Sequence, residues 1–221
     1  MSLALQLLVL MFRNISILIP VYNEEHDLRA CLDSVSFSDD IVVYDSYSTD
    51  HTSDIARSAG ARVIQRPGQD LSAPFGGDES MHRTWGIKSI KYKNPWLFVL
   101  DADERLTAHS VRELLSVVAF SSDDVVAYRI RRRDFFLGRH LQHVQASSWY
   151  IRLFRPEFVH YERLINPITV VDGKIGQLRY PLDHFPFSKG IRHWFDRHNF
   201  YSDFEAKQIL LNQSNDQPLR F

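Results

Sequence analysis

The apolar run Trp96-Leu97-Phe98-Val99-Leu100 stops abruptly at Asp101-Ala102-Asp103-Glu104. Residues i and i+2 of an extended segment point the same way, so the Asp101 and Asp103 carboxylates come within reach of one point. Two anions side by side raise each other's pKa unless something positive stands between them, and a divalent cation would supply that charge. Mg2+ or Mn2+ takes oxygen ligands, uses one or two protein carboxylates, and leaves the rest of its shell to water and substrate phosphates. The spacing therefore points to metal-assisted handling of a phosphorylated substrate; the plain alternative is a solvated acidic loop. Two further apolar runs also end on polar groups, 15–20 (ISILIP) before Tyr22-Asn23-Glu24 and 41–44 (IVVY) at Asp45. Ligands of open α/β sheets bind at such carboxyl ends of strands.

These ends need a scaffold, and the pattern predicts one. After the first strand, residues 27–35 carry Leu28, Cys31, Leu32 and Val35 at helical spacing. Residues 52–59 form a second helix, closed by Gly60 at a C-cap position, and 61–65 a third strand. A Gly/Pro-rich loop over 66–79 precedes a helix over 80–90, the strand 96–100, and a helix over 107–119. Strands that are apolar throughout and separated by helices indicate a parallel sheet covered on both faces. Beyond Ser121 the strands shorten and alternate (125–131, 149–154, 168–171, 178–182), and arginine, histidine and aromatics increase. We read 13–120 as a nucleotide-type α/β half, 121–186 as the part of the same domain that shapes a second substrate site, and 187–221 as a terminal amphipathic helix.

Composition narrows the function classes. The 221 residues carry 26 Lys+Arg against 27 Asp+Glu, a formal charge of -1. That balance lacks the positive field nucleic-acid binders use, so no nucleic-acid partner is expected. The one cysteine, Cys31, excludes an internal disulfide and a Cys-rich zinc site, which points to a reducing, cytoplasmic setting. Residues 1–12 (MSLALQLLVLMF) are apolar but shorter than the roughly 20 residues of a membrane span. They read as an upstream extension or a cloning scar, the alternative being a short interfacial helix.

Three ordered motifs, ISILIPVYNEE, IVVYDSYSTDHT and FVLDADE, resemble the family 2 glycosyltransferases of the GT-A fold, which use nucleotide-diphosphate sugars. The likeness is strong over 15–115 and continues more loosely toward bacterial lipopolysaccharide-core and exopolysaccharide enzymes. It implies a GT-A-like single α/β domain: a Rossmann-type, mostly parallel sheet flanked by helices, with a C-terminal acceptor-side subregion and terminal helix. It also implies a metal-dependent inverting transfer from a nucleotide-diphosphate sugar to a glycan or lipid-linked acceptor of the bacterial envelope, with Mn2+ or Mg2+ as cofactor. Carried over by position, Pro20, Tyr22 and Glu24 line the nucleotide pocket and Asp45 hydrogen-bonds the base. Ser48-Thr49-Asp50 match a segment whose Asp orients the next helix. Asp103 holds the metal on the diphosphate, Asp101 touches ribose or sugar and borders the metal, and Arg83 lies near the donor sugar. Tyr47 departs from the family, which has Gly there.

An inverting transfer needs a carboxylate base. The related subgroup has a His-Glu pair, and the chain offers His160-Tyr161-Glu162-Arg163, so Glu162 is the expected base, with Asp134 and Asp183 in reserve. The alternative is a surface pair of Glu162 with Arg163 or Arg155. His184, just after the last short strand, occupies a position where related enzymes place a metal or diphosphate ligand. His140, His143, His193 and His198 match no compact zinc site. In YRIRRRDFF, alternation puts Arg129, Arg131 and Arg133 on one face, solvated or facing an anionic acceptor. Residues 188–211 carry an apolar and aromatic stripe, either packed on the domain or lying peripherally on the cytoplasmic face of an inner membrane.

Two rivals remain at this level. A haloacid-dehalogenase-type phosphatase also uses a D-x-D, but after its first strand, and wants Thr or Val where this chain has Arg105. A degenerate sugar-nucleotide-binding module is the non-enzyme reading.

Overall fold

The structure, a computed structural model, describes residues 14–72, 74–143, 149–163 and 167–214. The apolar segment 1–12 lies outside the described residues.

The strand β1 (Ile15–Val21) is buried along its whole length and lies inside the sheet, between two parallel neighbours. It pairs in parallel with β2 (Ile41–Asp45) on one side and β4 (Trp96–Val99) on the other, and β2 pairs in parallel with β3 (Arg62–Ile64). Period-2 alternation divides the side chains. Ile15, Ile17 and Ile19 pack on α1 (Leu28–Ser34) and on Leu114 of α4 (Ala108–Phe120). Leu18, Val42 and Val99 pack on the other face, against Ile87 of α3 (Glu79–Ser89). Each such fully buried aliphatic side chain contributes about 1.5–3 kcal/mol. The helix α2 (Thr52–Ser58) links β2 to β3. Helix starts are capped as the residue types suggest. The Asp78 side chain accepts from Met81 N at 2.8 Å ahead of α3, and Thr107 and Ser110 form a reciprocal box ahead of α4.

The expected parallel pairing joins these four strands, and beyond them parallel and antiparallel pairs are mixed. The next strand, β8 (Trp149–Phe154), runs antiparallel to both β4 and β6 (Val125–Phe136). The long strand β6 exceeds the expected 125–131 because its far end gains partners: a hairpin with β7 (Arg139–Leu141) and a parallel pairing with β12 (Leu182–His184). A short strand β5 (Glu104–Arg105) follows the D-x-D and pairs antiparallel with β12, setting His184 opposite Glu104. The last strand is therefore 182–184, not 178–182, and His184 lies in it rather than after it. A separate ribbon of β9 (Val159–Glu162) and β10 (Ile168–Val171) and the strand β11 (Lys174–Gln177), parallel to β6, complete the sheets. The chain then enters α5 (Ile191–Ser214).

One buried acid ties the parallel half together. The Asp40 carboxylate accepts from Ser16 Oγ on β1 at 2.6 Å, from Lys93 N at 2.8 Å and from Arg62 on β3 at 2.9 Å. Burial pushes its pKa up, but the Lys93 and Ser16 hydrogen bonds and the Arg62 charge outweigh that and hold it below the usual carboxylate range. A depressed folded-state pKa contributes stability above the unfolded pKa that is lost as pH falls through the folded one. Asp40→Asn is therefore expected to lower unfolding stability at neutral pH by about 1–3 kcal/mol. The deficit should shrink below about pH 4, as the wild-type carboxyl also becomes neutral. Denaturant titrations at several pH values check both.

Candidate active site

Because β1, β2 and β4 are parallel, their carboxyl ends open on one edge, where a cleft of about 1200 Å³ lies. Its floor is the D-x-D loop, one wall is the loop after β1, and the other is built from β6, β8 and α5. Pro20, Tyr22, Glu24, Arg83, Asp101, Asp103 and His184 all line it.

The loop after β1 is held by the neighbouring S-T-D segment. Ser48 Oγ accepts from Asn23 N at 2.9 Å, Thr49 N donates to Asn23 Oδ1 at 2.8 Å, and Asp50 accepts from Glu25 N at 3.2 Å and Thr52 N at 3.0 Å. Tyr47 adopts a left-handed backbone, φ +62, the conformation for which glycine is favoured. The departure from glycine thus leaves the turn in place, and the Tyr47 hydroxyl donates to Arg66 O at 3.1 Å, tying down the 66–79 loop. Asp45 is fully buried and does not reach the cleft. Its oxygens accept from Ser48 N at 3.0 Å, Ser53 Oγ at 3.0 Å and Gln65 Nε2 at 2.8 Å.

Asp101 is clamped by two arginines, Arg83 on Oδ1 at 3.0 Å and Arg152 on Oδ2 at 2.7 Å. Arg83 also donates to Glu79 at 2.9 Å, and Arg152 to the wholly buried Glu104 at 2.6 Å. Burial would raise the Asp101 pKa, but Arg152 and Arg83 overcome it and hold the carboxyl well below its usual range. Burial prevails at Glu104 and raises its pKa despite Arg152. The positive charge expected between the two aspartates is therefore supplied in part by arginine. Asp101 is the weaker metal ligand of the two, since each of its oxygens already accepts from a guanidinium.

Asp103 faces a different group. His184 Nε2 stands 3.3 Å from its Oδ2, and His184 Nδ1 lies 2.6 Å from Asp134 Oδ1. The β5–β12 pairing makes this possible, reinforced by Phe185 N donating to Asp103 O at 2.8 Å. Burial disfavours the imidazolium, yet Asp103 and Asp134 together raise the His184 pKa to about 9. The Asp103 pKa falls to about 2 because His184 more than offsets burial. Arg197 of α5 approaches Asp103 at 3.7 Å. On the opposite wall Glu24 meets Lys189 at 2.7 Å, but burial dominates and lifts its pKa to about 7.

Among the described residues no group of three or more His, Cys, Asp or Glu is arranged to hold a metal ion. The donor set at the floor is two: the Asp103 carboxylate and, once its proton is released, His184 Nε2. Two protein donors fit Mg2+ or Mn2+, whose remaining positions go to water and phosphate oxygens.

The structure does not bring Glu162 to the cleft. Along β9, Val159 and Tyr161 are buried and His160 and Glu162 exposed, so alternation turns Glu162 outward, where it lies 3.2 Å from His160. Tyr161 takes the cleft position, its backbone N–H donating to Thr84 of α3 at 3.2 Å. Of the reserves, Asp134 lines the cleft, whereas Asp183 pairs with Arg133 at 2.7 Å outside it. The arginine face is also settled: Arg129 and Arg131 lie over Trp149 at 5.1 and 5.4 Å. Arg132, of opposite parity, reaches the cleft over Tyr150 at 4.5 Å.

The residues that sequence reasoning missed are Arg152, Lys189 and Arg197. Arg152 had a signal, a lone arginine inside the apolar strand WYIRLF, since a buried charge demands a partner. The α5 stripe splits. Trp194, His198 and Tyr201 line the cleft, with Trp194 and His198 stacked at 3.8 Å, while Ile191 and Phe195 stay exposed.

Comparison with known proteins adds the following. The model of glycosyl transferase family 2 matches residues 16–179. An uncharacterised glycosyltransferase of Rickettsia typhi is 28% identical over 211 residues, covering 90% of this chain and 68% of that protein. The lipopolysaccharide core biosynthesis glycosyltransferase LpsC of Rhizobium meliloti is 33% identical over 123 residues, covering 52% of this chain. The chain spans 41% of the length of LpsC. The crystal structure of TarS from S. aureus superimposes with a TM-score of 0.52 at 14% identity, over 80% of this chain and 38% of that one.

Proposed function

Since the chain belongs to glycosyltransferase family 2 and has a GT-A-like α/β fold, we propose that its cleft moves one sugar, with inversion, from a nucleotide-diphosphate donor to a glycan or glycolipid acceptor of a bacterial cell-envelope polysaccharide. The observation that carries this reading is the D-x-D at the end of a central strand, opening into the same cleft as Arg83, Arg152, Lys189 and Arg197. The likeness to LpsC supports the polysaccharide assignment. Against a phosphatase stands Asp101 itself, which would have to be a free nucleophile and is clamped on both oxygens.

The loop of Pro20, Tyr22 and Glu24 lies where the nucleotide would enter, and Asp101, fixed by its arginines, faces the ribose or sugar. Arg83, Lys189 and Arg197 supply the cations nearest the diphosphate. Asp103 and neutral His184 would hold Mn2+ or Mg2+, which when bound takes up charge on the leaving diphosphate. Asp134, on the far nitrogen of His184, orients that imidazole.

The acceptor hydroxyl needs a base. Glu24, Glu79, Asp101, Asp103, Asp134 and Glu205 each have a cation within ion-pair distance. Asp196 of α5 lines the cleft and makes no such pair among the described residues. We therefore assign Asp196 as base in place of Glu162. Asp196→Asn is expected to slow transfer by about 100-fold or more with donor binding intact. Glu162→Gln should stay within about twofold of wild type, as surface substitutions away from special features do. Steady-state transfer assays on the two variants decide between the residues. The reading as a whole is tested by hydrolysis of a panel of sugar nucleotides with and without Mn2+. Cation-dependent release of one nucleoside diphosphate is the expected result; none from any donor overturns it.

Among the described residues no helix is long and apolar enough to cross a membrane.

A further inference from the structure

The β6–β7 hairpin turns through Leu137 and Gly138, with φ +47 and +73, between the paired residues Phe136 and Arg139. A two-residue turn with both φ positive favours Asn-Gly or Asp-Gly. Leucine is disfavoured there by its backbone, and at 86% exposure it is disfavoured by water as well. Neither the fold nor the solvent accounts for an apolar residue at this tip. A strained, exposed apolar residue is a reason to look for what it touches outside the chain.

A second element carries apolar groups to the same side. Beneath the tip, Phe136 meets Phe187 edge-on at 4.8 Å, Phe187 stacks on Trp194 at 5.5 Å, and Trp194 meets Phe195 at 5.2 Å. This run of rings joins the hairpin to the start of α5, where Ile191 and Phe195, one turn apart, are 52% and 55% exposed. The charges around the patch are basic. Arg139 and Arg192 are exposed, as are His140 and His193. Of the acids close by, Asp183 pairs with Arg133 and Asp134 with His184, while Asp196, exposed beside Phe195, lines the cleft. Phe187 and Trp194 also line the cleft, so the patch lies at its mouth.

We infer that the hairpin tip and the first turns of α5 form a surface that seats on an anionic lipid bilayer, with Leu137, Ile191 and Phe195 entering the headgroup boundary and Arg139 and Arg192 meeting lipid phosphates. Apolar side chains ringed by arginine match such a surface in both parts. Seating here presents the cleft mouth to the membrane, where a lipid-linked acceptor would lie. The inference does not depend on the transfer chemistry, because binding is read without a sugar nucleotide.

The test is co-sedimentation of the full chain with vesicles of phosphatidylcholine and phosphatidylglycerol in equal parts, against phosphatidylcholine alone. Wild type should bind the anionic vesicles, and more weakly as salt rises. Leu137→Asn with Phe195→Ser should lower that binding about tenfold or more. Asparagine suits the turn, so Leu137→Asn alone should keep or raise the thermal midpoint, which separates lost binding from lost folding. Arg139→Glu with Arg192→Glu should remove the preference for anionic lipid. Wild type failing to bind, or the apolar double variant binding as wild type does, overturns the inference. So does equal binding to both vesicle types. Self-association that the apolar double variant abolishes, with no vesicle binding, would assign the patch to a second copy of the chain and also overturn it.

Discussion

Replacing Arg152 by methionine is expected to lower folding stability by about 3–5 kcal/mol, the usual result of removing one partner from a buried ion pair. The side chain is 8% exposed, and one guanidinium nitrogen bridges Asp101 Oδ2 at 2.7 Å and Glu104 Oε1 at 2.6 Å. Without it, Asp101 keeps Arg83, but Glu104 stays buried beside another carboxylate and keeps only the Asp101 N–H, at 3.0 Å, on its other oxygen. The Glu104 pKa, already raised by burial, should rise further. A carboxyl whose folded-state pKa lies above the unfolded one costs stability at high pH and relieves the cost as pH falls and it takes up a proton. The variant should therefore recover part of its loss on mild acidification, the reverse of the behaviour expected for Asp40. Arg152→Met combined with Glu104→Gln should restore much of the stability at neutral pH. A double-mutant cycle by chemical denaturation measures the coupling. Additive losses would show that the two residues do not act as a pair.

The second large effect is on activity. Asp103→Asn is expected to lower cation-dependent transfer by about 1000-fold, comparable to removing one well-placed electrostatic stabiliser of a transition state. Folding should change little, because His184 retains Asp134 on its other nitrogen. Calorimetry with uridine, guanosine, cytidine and thymidine diphosphates, with and without Mn2+, reads the ligand role directly. Wild type should show an affinity that Mn2+ strengthens; Asp103→Asn should show the same weak affinity in both conditions. Asp101→Asn offers a contrast. It frees two arginines, so it should disturb stability more than Asp103→Asn does and leave some cation dependence. A cation effect that survives Asp103→Asn and disappears in Asp101→Asn would reverse the assignment.

The parts of the site visible in the sequence were those where an apolar strand ends on a polar residue. A strand's length and its stop are local properties, so Tyr22, Glu24, Asp101 and Asp103 could be placed at one edge before any packing was considered. Glu162 failed for a different reason. In a four-residue strand the side chain's direction depends on which neighbour it pairs with, and a shift of one residue reverses it. Asp45 stands at a strand end like the others, yet Ser53 and Gln65 reach back to engage it, and neither contact is encoded in the motif. His184 was within reach by position, but its tie to Asp103 comes from β5, a two-residue strand too short to show any period. Arg152 was visible as an anomaly without an address, since the sequence says that a buried arginine needs an acid but not which one.

The turn from parallel to antiparallel pairing at β4 also bears on how the protein folds. Strands β1 to β4 all lie within the first 99 residues, whereas β8, which pairs with β4, comes only at 149–154. The first half can therefore collapse early, with Asp101 and Glu104 still wet. Arg152 arrives only when β8 docks, so the acids of the D-x-D loop lose their water and gain their counter-charge in one late step. Nascent chains that have emerged only as far as α4 would carry the motif without a working site, and competence would appear when the antiparallel half closes over it.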